Sequence, residues 1–201
     1  MVALAGDSTS PTVIDRRRIV LADPKLEVSK QPYHAAEGLP LSDAEKLVDR
    51  CRASTLHLAE GALATALDDL KKRDAYVVGC GLLMSSGRNV TELATILSSH
   101  ALIHSAEGDF FRNAITHAAG NSGLTVTGVR EKQAYERAAA ELNTNADALL
   151  RILGSMGKAL GCPWTQDEKL ATLAAWLVLA SGSRRKSNSS VRSRVRASAT
   201  C

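Results

Sequence analysis

Residues Tyr76–Met84 read YVVGCGLLM, an unbroken run of apolar residues and glycine. A strand of this kind is covered on both faces, which ordinarily places it in a parallel sheet. Parallel strands require a crossover, and the sequence supplies one: the turn SSGRN, a helical stretch from about Thr91 to Ala119, the break GNSG, and a second apolar strand at Leu124–Val129. An earlier strand is expected at Arg18–Ala22, stopped by Asp23-Pro24. Between it and the apolar run lies a helix from Ser42 to about Lys72. Ser42 and Glu45 have the spacing of a capping box, and Ala44, Val48, Cys51, Thr55, Ala59, Ala62, Leu63, Ala66 and Leu70 form one stripe. This βαβαβ order predicts an α/β fold with a small, mostly parallel sheet of about three strands or more and flanking long helices.

After the last strand only helices are expected, at about Glu131–Leu142, Asn145–Met156 and Gln166–Ala180. The last opens on a second capping box, Thr165 with Glu168. The expected organisation is a loose, disordered arm over 1–16, a single α/β domain over 17–181 and a disordered basic tail over 182–201. The tail carries Arg184, Arg185, Lys186, Arg192, Arg194 and Arg196 and no acid. Without it, 19 basic residues face 21 acidic ones, so the net charge of +4 becomes −2. Such a tail holds nucleic acid or an anionic surface without sequence preference, or serves only as a solubilising extension.

Other classes find little support. No segment reaches the roughly 18 apolar residues of a membrane span. The N-terminus, MVALAGDSTSPTVIDRRR, carries an acid and polar residues where a signal peptide is apolar, so a cytoplasmic location without membrane contact is expected. The four cysteines form no CxxC, GxSxG is absent, and the seven aromatic residues are too few for a base-stacking platform.

The long helix carries the candidate chemistry. With His100 set to zero at about 100° per residue, Leu93, Ile96, Leu97, Ile103, Phe111, Ala114, Ile115 and Ala118 fall within about 60°, and His104 and Glu107 within about 40°. Three ionisable groups on an apolar stripe need partners or a ligand. His100 and His104, four apart, suit one divalent metal, with Glu107 as third ligand or as the group that fixes an imidazole tautomer. Glu107 and His100 are the candidate acid/base groups, with Glu131 and Asp167 as further carboxylates. The alternative is a buried His–Glu pair that fixes helix packing. An unbroken helix would set Glu107 roughly 24 Å from Thr91, away from the carboxyl edge of the sheet, and a break near Ser98 would remove that conflict. At the edge itself Ser85, Ser86 and Arg88 are candidates for cradling an anion.

The pentapeptide His-x-Ala-Glu-Gly occurs at His34–Gly38, His57–Gly61 and His104–Gly108. Phase places His57 about 160° from Ala59, on the solvated side of its helix. His34 precedes that helix, so only the third copy is retained as a candidate.

From the apolar strand onward, the strand, the helix ending at a glycine, the strand LTVTGVRE, two helices and a last helix with Asp167 at its start resemble the second half of RuvC-type resolvases, which have a ribonuclease-H-like fold. That resemblance implies a two-magnesium nuclease, with Asp23 and Asp167 at the matching carboxylate positions. The middle strand here ends in Ser85-Ser86 where that family has an acid. The segment SSHALIHSAEGDFFRNA is similar to one in uncharacterised bacterial proteins. The expected function is a metal-assisted hydrolase acting on a phosphate-containing or nucleic-acid substrate. The competing expectation is a noncatalytic interaction or scaffold protein whose polar cluster is structural.

Overall fold

The computed structural model describes residues 1–85 and 90–197, those beyond 182 by backbone alone. The N-terminal residues, expected as a loose arm, instead form a hairpin of β1 (Val2–Gly6) and β2 (Pro11–Arg16). Its turn is held by the Asp7 carboxylate, which accepts the Thr9 amide and hydroxyl and the Ser10 amide at 2.8, 2.7 and 2.9 Å. Gly6 permits the turn: its φ is +98°, and a Cβ there would stand 2.6 Å from the Ser10 carbonyl oxygen. The strand expected at Arg18–Ala22 is not formed, because a strand needs a partner and VALAG pairs with PTVIDR instead.

Two helices follow, α1 (Pro32–Ala36) and α2 (Leu41–Lys71). The expected capping box of Ser42 and Glu45 is absent. Pro40 is extended at ψ 138°, so Leu41 becomes the first helical residue and Ser42 lies inside the helix. The α2 stripe is as expected, with Ala44, Val48, Cys51, Thr55, Ala59, Ala66 and Leu70 buried.

Strand β3 (Cys80–Met84) is shorter than the apolar run that announces it, and Tyr76 and Val78 stand exposed. The crossover then passes through α3 (Leu93–Leu97) and α4 (His100–Asn121) to β4 (Val126–Arg130). β3 and β4 are parallel, in register from Cys80 opposite Val126 to Met84 opposite Arg130. The protein is thus mixed α/β and rich in helix. Among the described residues its parallel sheet has two strands where three or more were expected, because the N-terminal strands pair with each other.

Helices α5 (Ala134–Glu141), α6 (Ala146–Leu160) and α7 (Gln166–Ala197) complete the chain. Half of the Thr165–Glu168 box forms: the Glu168 carboxylate accepts the Thr165 amide at 2.7 Å, while the Thr165 hydroxyl donates to the same carboxylate. The backbone of α7 continues through the stretch expected as an unstructured tail. Neither Gly nor Pro occurs beyond Gly182 to stop it, and Arg is a good helix former.

Two larger apolar cores result, beside a small cluster of Ala59, Ala114 and Ala118 between α2 and α4. In one, β3 and β4 pack with α5, α6 and α7 around Val129, Leu149, Leu153, Leu173 and Leu177. Gly81 allows the close approach of α7, since a Cβ there would lie 2.4 Å from the Ala174 carbonyl oxygen. In the other, α1 to α4 enclose Tyr33, Val48, Cys51, Ile96, Ile103 and Phe110. α4 packs against both α2 and β3.

Candidate metal centre

The long crossover helix is broken where the expected geometry required it. α3 ends at Leu97, the Ser98 hydroxyl donates to the Thr95 carbonyl at 2.8 Å, and Ser99 is extended at φ −148°, ψ 122°. α4 then begins at His100. Leu93, Ile96 and Leu97 therefore belong to a separate helix, and the buried face of α4 is set by Ile103, Ala106, Glu107, Phe110, Ala114 and Ala118. The centre of that face lies about 50° from His100 and about 90° from His104. The expectation that all three ionisable residues are inaccessible is corrected accordingly: Glu107 is buried, while both histidines stand exposed at the edge of the stripe.

Glu107 is held by α1. Pro32 opens that short helix and has no amide to satisfy. The next two amides, of Tyr33 and His34, both donate to Glu107 Oε1, at 2.9 and 3.0 Å. A carboxylate at the positive end of a helix is favourable, and here it comes from another helix. The same oxygen lies 3.1 Å from His34 Nδ1. An ionised carboxylate only accepts, so Nδ1 carries the proton and the free lone pair of the ring is on Nε2. The second oxygen, Oε2, is buried and has no hydrogen-bond partner among the described residues. Nearby in α2, burial pushes the Cys51 thiol above its ordinary range, and the Glu107 charge adds to that shift.

His34 thereby joins the two histidines of α4. The ring centroids lie 5.4 Å apart for His34 and His100, 4.8 Å for His34 and His104, and 4.4 Å for His100 and His104. The Nε2 atoms of His100 and His104 are 3.0 Å apart. One ligand atom from each of the three residues falls within 4.8 Å of the others. Nitrogens bound at about 2.1 Å to a tetrahedral ion stand about 3.4 Å apart, a spacing of the same order as that among these three side chains.

The expected ligand set is therefore rearranged. His100 and His104 are together as anticipated. The third imidazole is His34, and Glu107 stands behind it instead of beside it. His34 precedes α2, as the sequence indicates, but it sits on a five-residue helix of its own that Pro32 opens. His57, the middle copy, is exposed on α2 as phase predicted.

The other candidates lie apart from this cluster. Glu131 is exposed in the turn after β4, Asp167 is exposed in the first turn of α7, and neither belongs to a converging metal-competent group among the described residues. Asp23 is engaged by the Ser54 hydroxyl at 2.7 Å, which holds its carboxyl below the ordinary range. Ser85, at the carboxyl end of β3, donates to Asp109 at 3.2 Å, and Asp109 also accepts Arg112 at 2.9 Å. Ser86 and Arg88 lie outside the described residues.

Compared with family models, curated proteins and solved structures, the chain finds no match.

Proposed function

We propose that the protein is a metal-dependent hydrolase in which a single divalent transition-metal ion, zinc by its preference for imidazole, is held by His34, His100 and His104. The observation that carries this reading is the bond from His34 Nδ1 to Glu107. Carboxylate, imidazole and metal in series are the usual support for a ligating histidine, fixing both its tautomer and its aim. Exposure of His100 and His104 leaves solvent access to a fourth coordination position, where an ion of this kind lowers the pKa of bound water to about 7. A carboxylate-only nuclease centre receives no such support, since Asp23 and Asp167 do not join the cluster. Excess positive charge beyond Gly182 favours a phosphate-containing or nucleic-acid substrate.

The test is zinc titration of chelator-stripped protein by calorimetry, repeated with cobalt(II) for its absorption spectrum. One ion per chain is expected. His34→Asn, His100→Asn and His104→Asn should each lower affinity about a hundredfold or more, with the two α4 variants keeping native stability because those side chains are exposed. Failure to bind either ion stoichiometrically would remove the centre. Metal binding without metal-dependent cleavage of bis(p-nitrophenyl) phosphate would favour the second reading, a noncatalytic scaffold. The specific observation behind that reading is that three N–H groups of α1 already occupy Glu107 Oε1.

A further inference from the structure

Around α4 from the histidines, a cleft of about 400 Å³ opens between α2, α3 and α4. Its walls include Leu56, Ile96, Phe110 and Ala114, and the Tyr33 and Phe110 rings meet edge to face at 6.0 Å. Arg52, Asn113 and His117 also line it. A smaller hollow of about 320 Å³, sharing Tyr33, Arg52 and Ile96, extends it along α2. The cleft lies within the size range of small-molecule sites, and its mixture of apolar walls with a few polar groups is typical of them.

Two further observations bear on what would fill it. Thr55, another lining residue, is 1% exposed, and its hydroxyl has no hydrogen-bond partner among the described residues, a cost that proteins seldom leave uncompensated. The charges of the lining are also unequal in availability. Asp109 is bound by Arg112 and Ser85. Among the described residues Arg52 pairs with Asp49 alone, through side chains that are both half or more exposed, and such pairs are weak and readily exchanged.

We propose that this cleft is a second binding site, taking a small aromatic molecule with one anionic group: the ring system against Leu56, Ile96 and Phe110, the anion towards Arg52. This stands independently of the metal centre, since none of the three histidines of that centre lines the cleft.

The probe is 8-anilinonaphthalene-1-sulfonate, an aromatic body with a single anion, titrated into the full-length, natively folded protein in the presence of a chelator and followed by fluorescence. Saturable binding of one dye per chain is expected. Asn113→Trp, at an exposed position, and Leu56→Trp, in the wall, should each weaken it tenfold or more, and Arg52→Gln several-fold. Circular dichroism and the melting transition of each variant establish that it is folded. If Leu56→Trp fails that check, Asn113→Trp alone decides. No saturable binding, or binding unchanged by the tryptophan that passes the folding check, would overturn the proposal.

Discussion

Glu107 Oε1 collects three N–H groups from two consecutive residues, and that economy makes Glu107 the most informative side chain to change. Glu107→Gln keeps the shape and removes the charge that favours the start of α1 and orients His34. The expected outcome is a stability loss of about 1 to 3 kcal/mol, read from denaturant unfolding, together with a ten- to hundredfold loss of zinc affinity. Loss of stability with unaltered affinity would make Glu107 a packing residue alone. At this scale the sequence was partly legible. Spacing four apart found His100 and His104, and an acid amid an apolar stripe found Glu107. His34 was not legible, because a helix of five residues is too short to show a period and nothing local reports a carboxylate arriving from α4. Leu93 and Leu97, if continuous with α4, would draw the apolar stripe towards His100 and His104, but the break at Ser98 leaves both histidines exposed.

Among elements, the N-terminal hairpin departs furthest from expectation, and its anchorage can be tested by acid. Arg17, just past β2, donates to Asp15 at 2.6 Å and to Asp69 of α2 at 3.0 Å, while Arg73 reaches the Ile14 carbonyl at 3.1 Å. The bond from Arg17 holds the Asp69 carboxyl below its ordinary range. A carboxyl whose folded value is depressed contributes stability above its unfolded value and loses it as pH falls through the folded value. Asp69→Asn should therefore be less stable than the parent at neutral pH. The difference should vanish in strong acid, as measured by urea unfolding across that range. A difference that persists there would assign the effect to packing. The βαβ order and the helical C-terminal portion could be read from apolar patterns and glycines, whereas the break at Ser98 carries no glycine or proline to mark it. The hairpin was hidden because VALAG and PTVIDR are too short and too polar at their junction to announce a pairing, whereas IVLA looks like a strand and has no partner.

For the whole molecule, α7 is anchored ahead of the basic stretch: Leu170, Leu173, Ala174, Trp176, Leu177 and Ala180 are all buried. A chain ending at Ser181 should fold with the same cooperative transition, and its isoelectric point should drop from near 9.0 to the acidic side of neutrality, visible on a focusing gel. A lost or broadened transition would show that residues beyond 181 belong to the fold.

The contact between α1 and Glu107 joins residues 73 apart in sequence. Unfolding separates His34 from His100 and His104, so an ion at the proposed centre would bind the native chain in preference to the unfolded one, less whatever scattered histidines and thiols hold it there. Metal supply would then set how long each molecule survives proteases that attack opened chains, and scarcity would shorten its life before any active site was asked to work.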